Sequence, residues 1–251
     1  MTHYEHQPAR YGAPSTGAVG IDEGLRAYML RVYNYMAIGL AITGFAAYAT
    51  FSAAFQDVNG ALVPTAFGQT MFGSPLMWVV IFAPLALVFF LSFRVHTMSV
   101  GTAQAVFWLY AALVGVSLAT IFVAYTAQSI TQVFFVTAAT FGAVSLWGYT
   151  TQRDLTSMGS FLFMGLIGII LASIVNIFLG SSALGFAISI IGVLVFTGLT
   201  AYDTQKIKEM YYEGDDGVVA GRKAIMGALS LYLDFINLFL MLLRLFGSSR
   251  D

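Results

Sequence analysis

The sequence predicts an all-α polytopic membrane protein with seven transmembrane helices, and three observations carry that prediction. The chain is 59% hydrophobic and only 9% charged, whereas soluble domains are about a quarter charged. No charged side chain occurs between Arg94 and Arg153, nor between Asp154 and Asp203, and such intervals are tolerated only in lipid. The apolar runs are long and continuous rather than short alternating segments, so spanning helices are expected and a β-barrel is not.

The chain opens on MTHYEHQPARYGAPSTGAVGIDEG, which is polar and rich in Gly and Pro. Residues 1–24 read as a disordered tail with no cleavable signal, and His3 and His6 within it read as solvated. The transmembrane domain is expected over 25–247, followed by a short tail at 248–251. A span needs about 20 apolar residues at the helical rise. Seven runs meet this: 29–51, 75–93, 102–125, 131–149, 159–180, 184–202 and 224–246. The first loop, 54–74, contains Asp57 and an Asn59-Gly60 turn signal. The sixth, 204–223, holds the main cluster of charge.

Lys and Arg segregate among the connections. Arg10, Arg26 and Arg31 lie at or before the start of the first span, Arg94 follows the second and Arg153 the fourth. Lys206, Lys208, Arg222 and Lys223 lie between the sixth and seventh. The positive-inside rule therefore predicts a cytoplasmic N-terminus and, with seven spans, an extracytoplasmic C-terminus. Arg244 and Arg250 are exceptions, Arg244 within snorkelling reach of the interface. A re-entrant last segment would return the C-terminus to the cytoplasm. Ala111, Gly115 and Ala119 place small residues at four-residue spacing, a packing surface for a neighbouring helix. Asn176 reads as an interhelical hydrogen-bonder. The net charge of −1 offers no surface for nucleic acid, so membrane lipid is the expected surrounding partner. The absence of cysteine excludes disulfides and thiolate metal sites.

Asp234 interrupts the seventh apolar run. An ionisable carboxyl in a spanning helix costs roughly 2.5–3.5 kcal/mol even on insertion scales, which marks it as a functional residue. It lies ten residues past Ala224, about 15 Å into the bilayer at helical rise. Asp203 ends the sixth run at the same side, and Arg94 ends the second. If the sixth helix continues through Asp203, the two carboxyls can meet. Two carboxyls in a low-dielectric site cannot both ionise cheaply, so they would share one proton. Removing that proton creates repulsion and favours separation or entry of a cation, with Arg94 as the neutralising partner. The doubly ionised pair resembles a hard-cation site. The residues alone equally allow local hydrogen bonding, Asp203 as a helix-end residue and Asp234 through Tyr232 or Asn237. Glu213, Asp215 and Asp216 lack calcium-loop spacing and read as a solvated loop.

LTAYDTQKIK at 199–208 and SLYLDFINLFLMLLRLFG at 230–247 resemble signature segments of the Bax inhibitor-1 (transmembrane BAX inhibitor motif) family. The resemblance extends over 26–247. It implies six helices in three hairpins around a central seventh, and a di-aspartyl centre, here Asp203 and Asp234, that responds to pH and gates a calcium leak. It also implies that Arg94 pairs with Asp203, that calcium is the bound or transported cation, and that no cofactor or enzymatic activity is required. The bacterial inner membrane is the implied location. Bacterial relatives that modulate a membrane-bound AAA protease make an interaction protein the alternative. An intramembrane aspartyl protease is a further alternative, but that chemistry uses Gly-x-Gly-Asp where this chain has Leu231-Tyr232-Leu233-Asp234, and no later span supplies a Pro-Ala-Leu segment.

Overall fold

A computed structural model describes residues 23–250. The tail assigned to 1–24 lies outside the described residues, except that Glu23 and Gly24 already belong to the first helix. Seven helices are long and apolar enough to cross a membrane, as expected. They are α1 (Glu23–Ala54), α3 (Leu76–Arg94), α4 (Val100–Leu118) continued by the short α5 (Ile121–Ala124), α6 (Ala127–Thr150), α7 (Thr156–Leu179), α8 (Ser182–Glu209) and α9 (Gly217–Phe246).

The loop after α1 carries structure that hydropathy does not register. Strands β1 (Phe55–Val58) and β2 (Ala61–Pro64) pair antiparallel, with Phe55 opposite Pro64 and Val58 opposite Ala61. Asn59 and Gly60 turn between them at φ 58° and 85°, the left-handed pair that a two-residue hairpin requires. The Gly60 amide donates to Asp57 Oδ1 at 2.8 Å. Thr65 then caps the short helix α2 (Ala66–Phe72) by accepting from the Gly68 amide.

Caps explain where the helices start. Thr126 accepts from the Ser129 amide and starts α6 upstream of its expected bound. Asp216 accepts from the Val218 and Val219 amides at 2.9 and 2.7 Å, which starts α9 at Gly217 rather than at 224. α8 likewise continues past Tyr202 to Glu209. The expected loop 204–223 is therefore mostly helix, and the connection shrinks to 210–216.

α9 is the centre of the bundle. In its most apolar stretch 67% of residues are buried, against 11% in α3 and in α7, so α9 is surrounded by protein while those two face lipid. α1, α4, α6 and α8 pack directly on α9, α3 packs against α4, and α7 against α8. α7 and α8 thus form a packed hairpin, whereas α1 packs chiefly on α4 and α6 chiefly on α8. The α1–α4 seam uses the predicted small residues: Ala111 and Ala119 are fully buried, and a Cβ at Gly115 would collide with the Thr43 carbonyl. The end of α9 is tied to the α5–α6 turn by Thr126 N–H to Ser248 O and Arg250 N–H to Ala124 O. Its start is tied to the α3–α4 turn by Arg222. A single continuous helix of 30 residues therefore joins opposite ends of the bundle and is long and apolar enough to cross a membrane.

Candidate functional site

α8 continues as a helix through Asp203, so the condition for the two carboxyls to meet is satisfied. α8 and α9 run antiparallel in close contact, and Asp203 and Asp234 line the same crevice beside their interface, near enough for the two carboxyls to interact electrostatically. Asp234 is 4% exposed, and its Oδ2 is buried with no hydroxyl, amide or basic donor. Two carboxylates have no hydrogen to offer each other. The pair closes a hydrogen bond only when one of them carries a proton.

Local hydrogen bonding does not account for Asp234. Tyr232 points to the other side of α9, where its hydroxyl meets Thr43 Oγ1 at 2.6 Å and its ring stands edge-on to Phe107 and Tyr110. Asn237 turns back to donate to the Leu233 carbonyl of its own helix at 2.8 Å. Asn176 also departs from expectation. It stands in the last turn of α7 and accepts from the Ser181 amide at 3.0 Å, closing that turn rather than bridging helices.

Asp203 borders two spaces. One is a crevice between α7, α8 and α9 that also reaches Tyr202, Asn237 and Asp234. The other is a vestibule of about 350 Å³ between the end of α8, the start of α9 and the 3₁₀ turn Val95–Thr97, and its lining includes His96, Lys206, Arg222 and Lys223. The carboxyl pair thus sits where the crevice meets the vestibule. Arg94 does not take the expected place. It is exposed at the last position of α3 and lines neither space, because the helix ends there and the following 3₁₀ turn directs His96 to the vestibule instead. The charged neighbour of Asp203 is Lys206, one turn later on the same helix. The signal for Lys206 was the three-residue spacing, legible only once the helix is known to extend beyond Asp203.

The outer side of this part of α8 is clamped. Thr204 Oγ1 and Ser145 Oγ are 2.9 Å apart, and Ser145 meets the Tyr33 hydroxyl at 2.6 Å. Gln205 uses both ends of its amide, accepting from the Leu155 N–H and donating to the Arg153 carbonyl, each at 2.8 Å. Lys208 donates to the Tyr149 carbonyl at 2.9 Å. These bonds set the rotation of α8 that presents Asp203 to α9.

A family model described as inhibitor of apoptosis-promoting Bax1 matches residues 25–251. The chain belongs to the Bax inhibitor-1 family. Among its relatives, an uncharacterised protein of Rickettsia prowazekii is 52% identical over 92% of this chain and 93% of its own length. The inner membrane protein YbhL of Escherichia coli K12 is 50% identical over 90% and 94%. An uncharacterised membrane protein of Streptococcus pyogenes is 37% identical over 90% and 94%. Family membership and the seven spanning helices agree that this Bax inhibitor-1 family protein is a multi-pass membrane protein.

Proposed function

We propose that this protein is a pH-sensitive cation leak pathway, with calcium as the cargo and the Asp203–Asp234 pair as its gate. The observation that carries the reading is two carboxyls lining one crevice between α8 and α9, one of which, Asp234, has its Oδ2 buried without a hydroxyl, amide or basic donor. With one shared proton the pair holds α8 against α9. When pH rises and the proton leaves, two negative charges face each other in a poorly solvated interface, and their repulsion favours separation or a compensating cation. Two carboxyls supply fewer oxygens than the six to eight that calcium takes, and no group of three or more His, Cys, Asp or Glu placed to hold a metal ion occurs among the described residues. Calcium therefore enters the reading as a transient passenger, with Asp203 and Asp234 as the groups it would meet. The name of the E. coli relative and the basic inner ends of the helices support an inner-membrane location with the N-terminus cytoplasmic and the C-terminus outside.

The test is calcium flux in proteoliposomes from acidic to alkaline pH. In Asp203→Asn or Asp234→Asn the new amide donates to the remaining carboxylate whatever the pH. Flux is expected to lose its rise with pH in both variants. Wild-type flux at every pH in both would sink the gate. Cleavage of a helical substrate, abolished by Asp234→Ala, would replace it with water activation by the two carboxyls.

A further inference from the structure

We propose that the vestibule beside Asp203 is a binding site for a phosphate-bearing anion. Lys206, Arg222 and Lys223 all line it, with His96 at the rim. Residues that merely anchor a helix at the interface extend outward to the headgroups, whereas these converge on a concavity from two helices. Arg222 and Lys223 are half-buried. Arg222 Nε donates to the Met98 carbonyl at 2.7 Å, which fixes one edge of the guanidinium. The other edge has no protein acceptor among the described residues. Lys223 pairs with Asp215 at 2.5 Å, the only ion pair among the described residues. Lys206 lies over the Tyr202 ring and beside Asp203. Among the lining residues three cations face one carboxyl, Asp203, and Asp215 engages Lys223, which leaves a positive excess.

A fixed guanidinium fork flanked by two ammonium groups matches the tetrahedral, multiply accepting oxygens of a phosphate. The 3₁₀ turn after α3 and the last turns of α8 form facing walls, at the end of the bundle where the positive-inside rule places lipid headgroups of the inner leaflet. A phospholipid headgroup and a free phosphate share the required chemistry. This binding goes beyond the leak reading and is measured without ion flux, so its failure leaves the flux test untouched.

The experiment uses the full chain in neutral detergent, titrated calorimetrically with inorganic pyrophosphate, short-chain phosphatidylglycerol and short-chain phosphatidylcholine. Saturable binding is expected for at least one of the two net-anionic probes and not for phosphatidylcholine. Binding by phosphatidylglycerol alone identifies a lipid headgroup, and binding by pyrophosphate identifies a site open to free phosphate. The double variant Lys206→Gln/Arg222→Gln should weaken binding by roughly tenfold or more, the scale of one lost charge-assisted hydrogen bond, while Arg153→Gln should not. In case the double variant fails to fold, acetylation of the wild type supplies a second readout: the bound anion should protect Lys206 and leave Lys208, which bonds Tyr149, unprotected. No saturable binding by either anionic probe, equal binding in a folded double variant, or equal acetylation of Lys206 with and without the anion would overturn the site.

Discussion

Tyr232 donates its hydroxyl to Thr43 Oγ1 at 2.6 Å, two residues before Asp234 and on the other side of α9. The direction follows from counting hydrogens. Thr43 has one, and both the Gly39 and Ala111 carbonyls lie within its reach, at 3.0 and 2.8 Å. The shared hydrogen must therefore come from Tyr232. This bond ties α9 to the α1–α4 seam, so the helix that carries Asp234 is held on one side while the carboxyl faces α8 on the other.

Tyr232→Phe removes that bond and keeps the ring packing. The expected loss is about 0.6–1.5 kcal/mol of stability, the range for one interhelical hydrogen bond in a membrane protein. Thermal unfolding in detergent measures it, and Thr43→Val combined with Tyr232→Phe should cost less than the two single losses added together.

Gln205→Leu strips partners from the Leu155 amide and the Arg153 carbonyl together. A destabilisation of about 1–3 kcal/mol is expected from the unsatisfied groups. Amide exchange at Leu155 should accelerate, and the amide near Thr43 should not change. The outer clamp on α8 is absent from the structure's logic if exchange at Leu155 stays at the wild-type rate.

At Gly148 a Cβ would collide with the backbone of Ala201. Gly148→Val should force α6 and α8 apart at the turn before Asp203 and cost about 1–3 kcal/mol, as overpacking does in tight interfaces. Gly142, whose Cβ would meet open space, is the matched control: Gly142→Ala should leave unfolding temperature unchanged or slightly raised.

Asp154 tests whether a carboxyl outside the membrane contributes to pH response. Its Oδ1 accepts from the Thr156 amide at 2.8 Å, and hydrogen bonds from Thr156 hold its carboxyl below the usual range. A depressed carboxyl contributes stability that is present above its unfolded value and lost as pH falls through the folded one. Asp154 is therefore charged throughout the neutral range. The stability difference between wild type and Asp154→Ala should stay constant there and shrink only in acid, below about pH 4. Any flux change near neutrality should survive this substitution.

Much of the fold was legible in the run lengths of apolar residues. All seven spans, the Asn59-Gly60 turn and the small-residue face of α4 follow from composition and spacing. The charged segment 204–223 misled because hydropathy marks where lipid ends, not where a helix ends. Lys206, Lys208 and Glu209 continue α8 into water, and Asp216 starts α9 by capping it. The candidate carboxyls were visible as isolated charges in apolar text. The cation nearest Asp203 was not, since Arg94 and Lys206 both follow apolar runs and only the geometry of the helix ends separates them.

By itself the sequence determined that seven segments are long and apolar enough to cross a membrane, that Asp234 interrupts the last and that Asp203 ends the one before it, because burying a charge in lipid is costly enough to show in composition. Tertiary structure alone decided that Asp234 Oδ2 is buried without a hydroxyl, amide or basic donor, and that Lys206 rather than Arg94 stands beside Asp203. Those facts depend on which faces of α8 and α9 meet. That rotation is set by side-chain bonds from distant parts of the chain, among them Thr43 to Tyr232, Ser145 to Thr204 and Gln205 to the α6–α7 loop, which no local pattern encodes.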